Sequence, residues 1–288
     1  MKRIVVAGAT GLVGSHLLGL SSDYDEVHVL ARGRVRDLPA NAVLHHIDLA
    51  TDFDTSGLPV HIDGVIVLSQ SPDFRDFPEK ALTIFDVNVR ALLILLDYAR
   101  RAGATHFVSA SSGGVYAKSH DAMQEDAAIP VDGSTGFYPA TKLIGEILTR
   151  NYAAYMNVVI LRIFFAYGSG QKRSMLIPRL IDNVREGRPI TIDGEDGLRI
   201  NPVHATDAAK AVIAAPAIDG CATFNVGGPD VLSLRQIAEV IGEAVGRKPV
   251  FEGDPSKPPA SVVGDIARMK RELLEPTRKL ADHLNEML

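Results

Sequence analysis

Tyr138 and Lys142 stand four residues apart in the run Tyr-Pro-Ala-Thr-Lys. On a helix that spacing puts both side chains on one face. An ammonium beside a phenol favours the phenolate, so the pair is expected to lower the tyrosine pKa toward the working range. Such a tyrosine can exchange a proton with a substrate hydroxyl or carbonyl while a nicotinamide exchanges hydride. Upstream, Ser111 and Ser112 close an apolar run and lead into Gly113-Gly114-Val115-Tyr116. A serine hydroxyl at that strand end can hold the substrate oxygen.

A second group of residues is suited to phosphate. Gly8, Gly11 and Gly14 follow the first apolar run as Gly-x-x-Gly-x-x-Gly. The first glycine makes a tight strand-to-helix turn, the second admits a pyrophosphate to the backbone, and the third lets helix and strand pack closely. The helix N-terminus then offers free N–H groups and the positive end of its dipole. Dinucleotide binding is the expectation.

After the second apolar run the sequence reads Leu30-Ala31-Arg32-Gly33-Arg34. An acid at this point would bond the ribose 2′-hydroxyl of NAD, whereas arginine suits a 2′-phosphate. Arg32 therefore tips the cofactor expectation from NAD toward NADP(H). The alternative is a solvated arginine in a basic loop with Arg34 and Arg36. Asp48, after the third run, either bonds the adenine amino group or caps the next segment.

These residues need a frame. Ile4–Ala7, Val27–Ala31, Val43–Ile47, Val65–Leu68 and Phe107–Ala110 are short apolar runs, the mark of parallel strands covered on both faces. Helical stretches such as 13–20 and 79–101 separate them. The alternation predicts an α/β fold with a doubly wound parallel sheet of the Rossmann kind. A helix is expected over 138–155 and a strand over 158–164. Beyond these, prolines break the chain into shorter elements, with helices expected at 178–186, 206–214, 233–245 and near the C-terminus. Pro258-Pro259 lies in a loop. Residues 1–165 then form a dinucleotide-binding domain carrying the catalytic residues. Residues 166–288 form a smaller mixed α/β substrate lobe, from which some segments return to the sheet.

Composition narrows the function class. The 288 residues are 46% hydrophobic and 23% charged, with a net charge of −5, so a nucleic-acid partner is not expected. The single cysteine, Cys221, excludes an internal disulfide framework and is expected to be a small buried residue. The longest purely apolar run, Ala91 to Leu96, is far below the roughly 18 residues of a membrane span. With no signal-peptide pattern at the N-terminus, a cytoplasmic location is expected. No HExxH or dense carboxylate–histidine cluster appears, so no metal is expected.

The chain resembles the extended short-chain dehydrogenase/reductases, in particular the NAD-dependent epimerase/dehydratase branch that acts on nucleotide sugars. The similarity is carried by AGATGLVGSHL, the segment ending at Asn88, SASSGGVY, YPATK, LRIFFAYGSGQ, GEDGLRINPVHATDAAKA, FNVGGPDVLSLRQIAEVIGEAVG and DIARMKRELLEP. It implies that Tyr138 is the acid/base, that Lys142 is its partner and reaches the nicotinamide ribose, and that Ser112 is the active-site hydroxyl. It implies cofactor contacts from Gly8, Gly11, Leu12, Val13, Gly14, Arg32, Asp48, Leu49, Leu68, Asn88, Tyr138, Lys142 and Phe164. Asn88 resembles the residue that supports the site from behind the cofactor. Substrate contacts are expected from Ser112, Gly113, Tyr138, Phe165, Arg199 and His204. A homodimer through a bundle of the two long apolar helices is also expected.

The sequence departs from the family pattern at Phe165, where an asparagine is usual, and at Ser169, where a proline is usual. Arg199 lies one residue further from His204 than is common. The leading expectation is an NAD(P)-dependent epimerase of a nucleotide-diphosphate sugar. The alternative is an NADPH-dependent ketoreductase of a 4-keto sugar nucleotide or related carbonyl. A non-catalytic nucleotide sensor would not need Ser112, Tyr138 and Lys142 together.

Overall fold

The computed structural model describes residues 2–35, 37–117, 119–258 and 260–288. Arg36 of the basic loop and Pro259 of the Pro-Pro pair lie outside the described residues. The chain opens with β1 (Arg3–Ala7), α1 (Leu12–Leu18), β2 (Glu26–Ala31), β3 (Ala42–His46) and β4 (Gly64–Val67). It continues with α2 (Ala81–Phe85), a π-turn (Asp86–Arg90), α3 (Ala91–Arg101), β5 (His106–Ser112), α4 (Phe137–Asn151) and β6 (Asn157–Ile163). Then come α5 (Leu176–Glu186), β7 (Ile190–Thr191), β8 (Arg199–Ile200), α6 (Ala205–Ala214) and β9 (Cys221–Val226). The last elements are β10 (Leu232–Ser233), α7 (Leu234–Val245), β11 (Phe251–Glu252), β12 (Ser261–Val262), α8 (Ala267–Glu272) and α9 (Leu280–His283).

Seven strands form one parallel sheet in the order β3-β2-β1-β4-β5-β6-β9. This is the doubly wound architecture. Successive strand residues point to opposite faces, and both faces are buried. Ile4, Val6, Val27, Val29, Val108, Val159 and Leu161 face a core completed by Leu17 of α1 and the alanines of α6. Val5, Ala7, Leu30, Val65, Val67, Phe107 and Val158 face a second core with Leu92, Leu95 and Leu96 of α3. A fully buried side chain of this kind contributes roughly 1.5–3 kcal/mol, so the sheet is a rigid base for residues at its C-terminal edge.

The strand order reverses direction at β1, whose neighbours are β2 and β4. In such sheets ligands sit beyond the strand C-termini at the reversal. The later segments build two small sheets, β10-β8-β12 and β11-β7, around a third core of Tyr167, Ile181, Ile200, Ile237 and Leu284. Ser233 starts α7 with a reciprocal capping box to Gln236, and Gly246 ends it at φ 70°.

Three sequence expectations need correction here. The helix expected over 79–101 contains the π-turn, and the wider turn aims Asn88 inward, where it is buried. The helix expected to reach Tyr155 ends at Asn151 and tightens into a 3-10 turn, Tyr152–Ala154. Cys221 is exposed. It is the first residue of β9, the edge strand of the sheet, where a strand end is open on its outer side.

Candidate active site

The glycine turn sits at the reversal point. Gly8 has φ +88°, and a Cβ there would lie 2.5 Å from the Ser69 amide nitrogen. A Cβ on Gly14 would lie 2.2 Å from the Gly8 carbonyl oxygen. Side chains at either position are excluded, which brings the β1 turn against the chain leaving β4 and α1 against β1. Gly11 precedes α1 as its cap, with no side chain spanning the first turn. The first amides of α1 are thus left to a ligand's oxygens. This cradle of close-packed backbone fits a dinucleotide pyrophosphate.

The other expected cofactor residues ring this turn unevenly. Leu12, Val13, Asp48, Leu49 and Leu68 are half-buried, and Arg32 is exposed directly after β2. Among the described residues Arg32 has no hydrogen-bond or ion-pair partner. Asp48 Oδ1 accepts the Ala50 amide at 3.0 Å, the local cap that was one of its two readings. Phe164 is buried. Its ring fills the space over Gly113 and Gly264, where a Cβ would come within 2.4 and 2.6 Å. Its amide donates to the Val226 carbonyl and its carbonyl accepts from Val203, so Phe164 is committed to packing.

Tyr138 and Lys142 share α4, as their spacing required. Lys142 is buried, and its Nζ donates to the Ser69 and Ala110 carbonyl oxygens at 3.1 and 3.2 Å. Burial lowers its pKa to about 8. The half-buried Tyr138 departs from expectation. Burial pushes its phenol up to about 12, opposed by a hydrogen bond with Ser112. The expected lowering by Lys142 does not outweigh burial, and its ammonium is turned to the two carbonyls.

Ser112 and Ser111 separate cleanly. The Gly114 amide donates to Ser112 Oγ at 3.0 Å, which leaves the Ser112 proton for the phenol or a substrate oxygen. Ser111 points the other way and donates to Glu146 Oε1 at 2.6 Å. Glu146 is buried against Arg162, whose Nε and Nη2 reach its two oxygens at 2.8 and 2.7 Å. The same guanidinium lies over the Tyr116 ring, 4.7 Å from its centre. Tyr116 Oη in turn donates to Asn225 Oδ1 at 2.9 Å. The sequence reading missed this network, because its members come from β5 and the turn after it, α4, β6 and β9, and only tertiary structure joins them.

Asn88 has a positioning role. Its Oδ1 accepts the Ser71 amide and its Nδ2 donates to Thr141 Oγ1, both at 3.0 Å. It thus ties the chain after β4 to the turn of α4 between Tyr138 and Lys142. That stretch after β4 was also missed. Tyr138 Oη donates to Gln70 Oε1 at 2.8 Å, and Phe74 packs on the Tyr138 ring at 5.1 Å. Arg75 lies over Phe74 and donates to the Ser174 carbonyl at 3.1 Å. The available signal was position, since the C-terminal end of a central strand faces the ligand.

The remaining expected substrate residues divide. Arg199 is exposed on β8. Phe165 is half-buried between the third core and the Tyr116–Phe164 cluster, and it has φ +44°. Asparagine adopts that left-handed conformation readily and a bulky aromatic does not, so this position carries strain. Gly113 is buried beneath Phe164.

His204 does not face an open site. It is buried, caps α6 by accepting the Thr206 amide at Nδ1, and meets Glu286 at 3.0 Å through Nε2. His204, His283 and Glu286 bring their ligand atoms within 4.8 Å of one another. The Thr206 amide fixes the neutral His204 proton on Nε2, which makes that nitrogen a donor to Glu286. The trio is therefore a hydrogen-bonded anchor for the C-terminal segment.

The chain is similar along most of its length to known proteins. The chain is 27% identical to the uncharacterized UDP-glucose epimerase YtcB of Bacillus subtilis, over 98% of this chain and 95% of that protein. It is 26% identical to a dTDP-4-dehydro-6-deoxy-D-allose reductase of a Streptomyces species, over 93% of this chain and 89% of that protein. Among solved structures, UDP-glucuronic acid 4-epimerase from Bacillus cereus in complex with UDP-glucuronic acid and NAD superposes with a TM-score of 0.85. That similarity is 26% in sequence and spans 99% of this chain and 97% of that one. No helix among the described residues is long and apolar enough to cross a membrane. The model of the NAD dependent epimerase/dehydratase family matches residues 4–227, and the chain belongs to that family.

Proposed function

We propose that this protein is an NAD(P)-dependent epimerase of a nucleotide-diphosphate sugar. The observation that carries the reading is the placement of Tyr138, with Ser112 at its phenol, and of Lys142 against the same segment, Ser69–Gln70, that closes over the Gly8 turn. Proton-transfer groups and the dinucleotide cradle are thereby locked into one edge of the sheet. The epimerases among the relatives and solved structures support the same reading.

In this mechanism Tyr138 acts as its phenolate, the form that burial disfavours in the free protein, and takes the proton of a sugar hydroxyl, while Ser112 donates to the oxygen that becomes a carbonyl. When bound beside Tyr138 and Ser112, a nicotinamide would supply the reversible two-electron chemistry at the sugar carbon. Tyr138 then restores the proton to the oxygen. Lys142, one helical turn along α4 from Tyr138, would hold the cofactor ribose. Asn88 keeps α4 and the chain after β4 in register.

We further assign residues 1–165 to the dinucleotide and residues 166–288 to the sugar nucleotide, with Arg199 and Phe165 at its boundary. The exposed and unpaired Arg32 favours NADP(H). Exposed Leu82, Phe85 and Leu93 on one side and Ile144 and Ile147 on α4 favour a homodimer through these helices. A second reading, an NADPH-dependent ketoreductase, draws on the same Arg32, on the lost amide at Phe165 and on the reductase relative. Interconversion of sugar epimers without net cofactor consumption tests the first reading against the second.

A further inference from the structure

We propose that Gln70 is a positioning residue for the acid/base, holding the Tyr138 phenol through both of its proton states. This inference rests on the assignment of Tyr138 as acid/base.

The loop around Gln70 is fixed on both sides by the site itself. The Ser69 carbonyl accepts from Lys142 Nζ at 3.1 Å. The Ser71 amide donates to Asn88 Oδ1 at 3.0 Å, and Asn88 is tied to Thr141. Ser71 is buried, and Asp73 donates its amide to Ser71 Oγ at 3.3 Å. The Gln70 side chain is exposed, yet its backbone is pinned by the helix that carries Tyr138. Its amide therefore meets the phenol from a set position at 2.8 Å.

Only some side chains suit that position. A neutral phenol is a donor, and Gln70 Oε1 accepts it. A phenolate is an acceptor only, and would be repelled by Oε1. Half a turn of the amide about its last bond presents Nε2–H to the phenolate. Ser112, with Gly114 donating to its Oγ, serves the phenol oxygen from the other side. Glutamine can thus bond both states, whereas a carboxylate bonds only the protonated one.

The charged groups around the phenol leave this role to Gln70. On α4, Lys142 is turned to the Ser69 and Ala110 carbonyls. On the loop, Arg75 lies over Phe74, 4.9 Å from its ring centre, and reaches Ser174. On β5 the phenol's partner is the neutral Ser112.

Two variants test the proposal. Isotope-labelled tyrosine NMR needs no substrate, and Tyr138→Phe assigns the Tyr138 ring resonance. In Gln70→Leu that resonance should move, while those of the other six of the seven tyrosines stay. In Gln70→Glu, kcat should fall about tenfold, KM should change little, and the acid limb of the pH–rate profile should move up by about one unit. A Tyr138 resonance unmoved in Gln70→Leu overturns the proposal, as does a Gln70→Glu profile superimposing on wild type. If no nucleotide sugar turns over but the resonance moves, the epimerase reading fails and the pairing of Gln70 with Tyr138 stands.

Discussion

Lys142 Nζ donates to the carbonyl oxygen of Ser69 at 3.1 Å. Ser69 is also the residue whose amide nitrogen closes over Gly8. One ammonium thus joins the helix carrying Tyr138 to the Gly8 turn. The contact also has a thermodynamic consequence, because it holds a cation out of water.

Lys142→Met is expected to raise stability at neutral pH and to abolish turnover. The folded-state pKa of Lys142 is lowered from 10.5 to about 8. Between those values the unfolded chain holds a proton that the folded chain has lost, so wild-type stability rises with pH across that window. The variant should therefore gain most below pH 8, on the order of a few kcal/mol. That gain should shrink as the pH approaches 10.5. Chemical denaturation of both proteins across this range is the check, and a gain independent of pH would contradict the burial of a charged Lys142.

Removing one partner of the Glu146–Arg162 pair should cost more than removing a surface ion pair. Both side chains are buried and doubly bonded to each other. Arg162→Met leaves a buried carboxylate held by Ser111 at 2.6 Å and, more loosely, by Arg150 at 3.7 Å. A loss of about 3–5 kcal/mol is expected, against at most about 1 kcal/mol for breaking the exposed Arg100–Asp97 pair. Urea unfolding of the two variants compares them directly.

The cofactor preference should reside in Arg32. An exposed guanidinium at the end of β2 can form charge-assisted bonds to a 2′-phosphate, worth about 1.5–3 kcal/mol. NADP(H) should bind roughly tenfold or more tightly than NAD(H), and Arg32→Ala should erase the difference. Calorimetric titration of both proteins with both cofactors measures it. Equal wild-type affinities would leave Arg32 as a solvated surface residue.

Dehydration of nucleotide-diphosphate hexoses should not occur. That chemistry needs an acid for the departing hydroxyl and a base for the adjacent carbon, and Gly113 and Gly114 follow Ser112 where such side chains would stand. An acid cannot simply be installed at 113, because a Cβ there would lie 2.4 Å from the Phe164 ring. Gly113→Asp should therefore lower the melting temperature. Mass spectrometry of reaction mixtures should show no 4-keto-6-deoxy product.

The fold and the reacting groups were largely legible in the sequence because they follow local rules. Apolar runs gave the strands from β1 to β6, the glycine spacing gave the turn, and the four-residue spacing gave the Tyr138–Lys142 face. Less legible was whatever depends on where side chains end up in space. Lys142 was read as lowering the phenol's pKa, but its ammonium is taken by two carbonyls. His204 was read as facing substrate, but it caps α6 and is covered by Glu286. Phe165 was read as a lost amide, and its left-handed backbone adds why an asparagine would sit there easily. Gln70 carries no motif, and its place depends on the anchoring of Ser69 and Ser71 by residues far away in sequence.

In the proposed epimerase, hydride should leave and return within one turnover, with Tyr138 moving the proton. This is tested most directly by incubating candidate nucleotide-sugar epimers, and separately their 4-keto forms, with enzyme and a trace of cofactor. Reduced-cofactor absorbance and product stereochemistry are followed together. The hydroxyl epimers should interconvert at constant absorbance, slowed roughly 10²–10⁴-fold in Tyr138→Phe with cofactor binding nearly unchanged. Stoichiometric loss of NADPH with a keto substrate, and no interconversion of the epimers, would contradict it.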